Sequence, residues 1–125
     1  LTEKVLTVYD IKPRQICYAF INIYLAGNPE LVELMKTHRV ILVGKGAREL
    51  ATHLQQEYGM QISGTVSIKH YRELRLTLER IDRMDYDLAL IAAGSNAVIL
   101  SVMLAERGKV AIDIGRGIEP ERWKS

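Results

Sequence analysis

Apolar residues change their spacing near Arg39, and that change separates a helical opening from a run of alternating strands and helices. Val5 to Tyr9 is a short apolar stretch, closed by the turn signal Asp10-Ile11-Lys12-Pro13. Pro13 suits a first helical turn, where its missing N–H would be unpaired anyway. Ile16, Phe20, Ile23 and Tyr24 then recur at helical spacing and predict a helix from Pro13 to Ala26, ended by Gly27. Asn28-Pro29-Glu30 predicts a second start: a capping amide, proline at the first position, and an acid in the positive first turn. Leu31, Leu34 and Met35 form the expected inner face, with the end near His38.

Beyond Arg39 the pattern is short β-branched runs joined through amphipathic segments. Val40 to Val43 predicts a strand, followed by Gly44-Lys45-Gly46 and a helix from Ala47 to about Tyr58, closed by Gly59. Ile62 to Ile68 predicts a second strand, weakened by Gly64. Tyr71 to Met84 predicts a helix with Leu74, Leu78 and Ile81 inward. Leu88 to Ala92, Ala97 to Arg107 and Val110 to Ile114 complete the series as strand, helix and strand. Strands joined through helices pair in parallel with right-handed crossovers. The expected fold is α/β: a Rossmann-like parallel sheet with helices on both faces and a helical lead-in. Residues 1–38 form the lead-in, 39–118 the core and 119–125 a tail, all within one compact domain. Internal repeats and low-complexity segments are absent from the sequence.

One helix breaks the amphipathic rule. Val98, Ile99, Leu100, Val102, Met103 and Leu104 leave the segment from Ala97 to Ala105 without a polar side. Burying three such side chains contributes about 5–8 kcal/mol, so a second cover is expected. It would come from the helices of residues 13–37, a missing segment, or another copy in a homo-oligomer. A membrane span is the competing explanation, because Leu88 to Ala105 carries no charge. Gly94-Ser95-Asn96 in its middle and the mixed charges around it, Asp87 and Glu106-Arg107, argue against that.

Composition narrows the classes. The chain of 125 residues suffices for one domain, and its 48% hydrophobic content excludes a disordered chain. Seventeen basic residues against 15 acidic give a net charge of +2, and no basic stripe marks a nucleic-acid partner. The single Cys17 cannot close an internal disulfide, which fits a reduced, cytoplasmic setting. The sequence starts at Leu1 rather than Met, so a longer parent chain is expected to be possible.

Two glycine turns hold the candidate chemistry. Gly44-Lys45-Gly46 resembles the start of a dinucleotide fingerprint, in which glycines let the backbone approach pyrophosphate. Glu49 stands where its third glycine belongs, and Ser67, Lys69 and His70 replace the expected acid of the next strand. Lys69 and Arg72 would suit a 2′-phosphate, which keeps an NAD(P)-binding module open; a plain strand-to-helix turn is the alternative. In Gly94-Ser95-Asn96 the side chains either cap the next helix or contact a ribose or phosphate, while helix-opening amides meet the ligand. Asp113 precedes Gly115 at a strand end, where a carboxylate needs a partner or a cleft. His38, His53 and His70 share no metal-ligand spacing. Arg72, Arg75, Glu79, Arg80 and Arg83 read as a solvated helix face with ordinary surface pairs.

The segment from Asp87 to Gly115 resembles the closing part of GT-D-fold glycosyltransferases, with its glycine turn, apolar helix and Ile-Asp-Ile-Gly strand end. Cys17-Tyr18-Ala19-Phe20-Ile21-Asn22, followed by Val40 to Gly44, is similar to an earlier passage of that family. The likeness spans roughly residues 16–118. It implies a sheet that binds a nucleotide sugar, with uridine diphosphate as the donor's carrier. Gly44, Lys45, Gly46, Gly94, Ser95, Asn96, Asp113 and Gly115 are then the expected nucleotide-binding residues. The family's Asp-x-Glu metal motif has no counterpart here, so a divalent ion such as manganese is expected only if a preceding segment carries it. Asn22 and Ile23 stand where a basic residue is expected, and Gly-Ser-Asn replaces a Gly-Pro-Thr type of turn. These departures predict a nucleotide-sugar-binding portion that is catalytically incomplete or inactive. A non-catalytic assembly domain remains the third reading.

Overall fold

The computed structural model describes Lys4, Thr7–Asp10, Lys12 and residues 21–124. The expected helix from Pro13 lies outside the described residues up to Phe20, as does Cys17. Its described end, Ile21–Leu25, is a 3₁₀ turn. Tyr24, one of the apolar set at helical spacing, is exposed there.

Helix α1 (Pro29–Thr37) begins as its sequence requires. The Asn28 side chain accepts hydrogen bonds from the Glu30 N–H at 2.9 Å and the Leu31 N–H at 3.1 Å. Its buried face is Leu31, Val32 and Met35; Leu34 turns partly to solvent, so the expected stripe is rotated by part of a turn. Strand β1 (Val40–Gly44) is buried along its whole length. Helix α2 (Ala47–Tyr58) ends at Gly59 in a left-handed conformation. Strand β2 is only Gly64–Val66, shorter than the Ile62–Ile68 run suggests. A 3₁₀ turn at Tyr71–Glu73 leads into helix α3 (Leu74–Asp82), which buries Leu74, Thr77 and Ile81. Strand β3 (Leu88–Ala92), helix α4 (Asn96–Glu106) and strand β4 (Val110–Asp113) follow.

The four strands are parallel in the order β2-β1-β3-β4. Alternate residues of β1 point to opposite faces and so build two cores. On one face Val40 and Leu42 pack with Leu31, Val32 and Met35 of α1 and with Leu50 and Leu54 of α2. On the other, Ile41 and Val43 meet Leu74 and Ile81 of α3 and Ala97, Leu100 and Leu104 of α4. The fold is thus the expected Rossmann-like α/β sandwich. The residues after β4 turn back onto the first core. Trp123 is fully buried, its indole N–H donates to the Gly117 carbonyl at 2.7 Å, and its own carbonyl accepts from His53 at 2.6 Å.

The two cores also decide what covers α4. Helix α1 packs on the opposite face of the sheet, so it does not supply the expected second cover. Val98 and Val102 remain 66% and 56% exposed within this chain, beside a 58% exposed Val110 on the edge strand β4. Among the described residues no helix is long and apolar enough to cross a membrane.

Candidate functional site

Strand order places the site. The chain leaves β1 through α2 toward β2 and leaves β3 through α4 on the other face toward β4. Neighbouring strands whose connections depart in opposite directions open a crevice at their carboxyl ends, the place where open parallel sheets take ligands. Gly44 and Ala92 are register partners at that point, so the two glycine turns stand side by side. The backbones are in close approach: a Cβ on Gly44 would collide with the Ala92 carbonyl oxygen, and its φ is +147°. Lys45, next in the chain, is exposed.

The second turn differs from expectation. Capping by Ser95 or Asn96 was one of two expectations; Ser95 stands at the N-cap position of α4 in helical dihedrals and makes no side-chain capping bond, and Asn96 is the first residue of the helix. The Asn96 and Ala97 N–H groups donate instead to the Ala93 and Gly94 carbonyl oxygens, each at 3.1 Å. Those two amides are therefore engaged within the turn, not presented to a ligand. The Ser95 and Asn96 side chains are left without the capping role that would have explained them.

Asp113 pairs in register with Ile91, one strand further along the same edge. It is exposed, so the expected desolvation cost at a strand end does not arise. Its Oδ1 accepts a hydrogen bond from the Gly115 N–H at 2.9 Å and fixes the turn after β4. Gly115 lies against Asn22: a Cβ there would stand 2.5 Å from the amide nitrogen. Asn22 is thus brought to the Asp113–Gly115 turn by the 3₁₀ segment before α1. The sequence marked this position only as a departure from the resembling family's basic residue.

Beside the first turn, along the edge strand β2, lies a cleft of about 760 Å³. Its lining joins Gly44 and Lys45 to Arg48 of α2, Lys69 after β2, and Arg80 and Arg83 from the end of α3. Arg80 and Arg83, expected on a solvated face, are therefore part of a concave wall, whereas Arg72 is not among the lining residues. Glu49, standing at the missing third glycine, also lines the cleft. Gly94–Asn96 and Asp113–Gly115 are not among its lining residues. Outside the cleft several arginines are matched by carboxylates, Arg39 with Asp85 and Asp87, Arg75 with Glu79, Arg107 with Asp82, and Arg116 and Arg122 with Glu119, while Arg72 has no such pair among the described residues. Among the described residues the five cations of the cleft form no such pair.

Residues 1–120 match the GT-D fold-like domain family. The chain belongs to that family. The GT-D fold-like match covers nearly the whole sequence and sets the chain among glycosyltransferase-like proteins. No curated protein and no solved structure matches it.

The metal that the glycosyltransferase resemblance brings to mind can be tested against the donors present. Among the described residues no three or more His, Cys, Asp or Glu side chains gather into a group able to hold an ion. Asp113, the carboxylate at the crevice, already gives one oxygen to Gly115. The described part of this GT-D fold-like domain does not fit a divalent ion, and no step is derived through one.

Proposed function

We propose that this GT-D fold-like domain binds a nucleotide sugar, with a uridine diphosphate carrier, at the carboxyl edge of its sheet. The observation that carries the reading is the adjacency of two glycine turns where the sheet's connections diverge. Gly44, Lys45 and Gly46 would receive the diphosphate, because this turn stands at the carboxyl end of β1 and carries an exposed cation. Gly94, Ser95 and Asn96 would contact the nucleoside or sugar through side chains, since the first helix amides are engaged. Asp113, whose second oxygen takes no hydrogen bond among the described residues, and the neighbouring Gly115 and Asn22 would border the sugar side. Binding is the activity proposed.

Calorimetric titration with UDP and a UDP-sugar tests the reading, with NADP as the competing ligand. UDP heat that is lost in an Asn96→Ala, Asp113→Ala double variant supports it. Binding of NADP with no heat from UDP would replace it with the dinucleotide reading that Lys69 in the cleft favours.

A second reading, an assembly domain paired through α4, has its own observation in the exposed Val98, Val102 and Val110. Light scattering across a concentration series decides it: a persistent monomer removes it.

A further inference from the structure

The GT-D fold-like domain contains more positive charge beside its crevice than a turn requires. Lys45, Arg48, Lys69, Arg80 and Arg83 come from three separate stretches of chain and line one cleft of about 760 Å³, with Glu49 the one acid in its lining. Like charges gathered in a concavity repel one another, and their field is focused by the low-dielectric walls. Arg39, Arg75, Arg107, Arg116 and Arg122 relieve such repulsion through a carboxylate partner. The cleft cations do not, among the described residues. Gly44 and Lys45 belong both to the turn at the crevice and to the lining of the cleft, so the two adjoin there.

We propose that this cleft is a diphosphate site whose counter-charge is supplied by lysine and arginine side chains of the chain itself. It rests on the nucleotide reading above for the identity of the ligand, and deepens it by assigning where the two phosphates lie. Guanidinium groups suit the task because their paired donors match phosphate oxygens and they remain charged at all working pH. A small ligand fits better than a nucleic acid: the cations line a bounded hollow at one sheet edge, not an extended stripe, and the net charge is only +2.

The test is titration of the whole chain with inorganic pyrophosphate, and separately with UDP, in the presence of a chelator. Both are expected to bind, and Arg80→Gln with Arg83→Gln is expected to weaken both by about tenfold. Glu49→Gln is expected to act in the opposite direction, tightening pyrophosphate by roughly threefold, a gain that a damaged fold cannot mimic. Pyrophosphate binding that is indifferent to both variants, or that appears only on adding manganese, overturns the proposal. If UDP still binds in that case, the nucleotide reading survives without it. Pyrophosphate binding with these mutational effects but no UDP binding upholds the cleft and removes the nucleotide. A mixed-sequence oligonucleotide that binds more tightly than pyrophosphate, and is lost in the arginine variant, overturns the proposal in favour of nucleic acid.

Discussion

Two strand-to-helix turns of this GT-D fold-like domain occupy equivalent places in the sheet and are built on different physics. After β1, Gly44 is locked: its backbone presses on Ala92 in the neighbouring strand and its φ is +147°. After β3, Gly94 also has a positive φ, +58°, but a Cβ there would meet nothing within 4 Å. The first turn opens beside a cationic cleft, whereas the second leads into a helix with exposed valines. A glycine held by packing fixes where two strand ends stand, and one held only by dihedral preference fixes a local bend. The same residue letter therefore carries structural weight in one turn and mainly local freedom in the other.

The sharpest way to break this comparison is to add a methyl group to each. Gly44→Ala forces β1 and β3 apart at their carboxyl ends and strains the backbone as well, so a loss of roughly 3 kcal/mol or more is expected. Gly94→Ala brings only the dihedral strain, about 1 kcal/mol. Denaturant unfolding of both variants measures the difference. Equal losses would mean that the β1–β3 contact at Gly44 does not support the fold as described.

The sequence made the first of these turns visible but not the reason for it. Strands β1 and β3 announce themselves as continuous apolar runs because both of their faces are buried, and Asn28, Pro29 and Gly59 mark helix ends by local chemistry alone. Strand β2 was overestimated because the apolar pattern continues past the part that pairs, and an edge strand has a neighbour on one side only. Periodicity also chose Leu34 over Val32, since the buried face of α1 depends on where the helix lands on the sheet. The cleft was illegible for the same reason on a larger scale. Lys69 already stood out beside the second strand, but Arg48, Arg80 and Arg83 look like ordinary surface residues until the sheet brings their elements to one edge. Trp123 stands in a short closing segment with no period to read, and only its burial against the first core shows its role.

The amino ends of the same two strands offer a contrast in charge. There Asp87 takes hydrogen bonds from the Arg39 side chain at 2.9 and 3.2 Å and from the Arg39 backbone N–H at 3.1 Å. Chiefly through the side-chain bond, and then the backbone one, its carboxyl is lowered from 3.8 to about 2. A carboxyl depressed on folding adds stability that is fully present above its ordinary value and is lost as pH falls through the folded one. Asp87→Asn is therefore expected to unfold at lower denaturant near neutral pH. The gap to the parent chain should narrow below pH 3.8 and close only below pH 2, where the carboxyl of the folded parent chain is protonated as well. A gap that stays constant across that range would show that the ion pair contributes little and the backbone bond does the holding.

The smallest effect on stability is expected where the charges have no partners. Replacing Arg80 and Arg83 by glutamine removes no ion pair among the described residues and relieves repulsion from Lys45, Arg48 and Lys69 across the cleft. Glutamine keeps the helix propensity of arginine, so the end of α3 has no reason to fray. The melting temperature at low salt should stay level or rise slightly, and added salt should erase even that gain by screening. Asp82→Asn sharpens the contrast from the same helix, because it discharges the carboxylate that accepts from Arg107 at 2.7 and 3.3 Å and leaves one acceptor in place of two, and it should lower the melting temperature instead. If the arginine variant melts earlier than the Asp82 variant, the cleft cations are holding the fold together, and their availability for a ligand is lost as an argument.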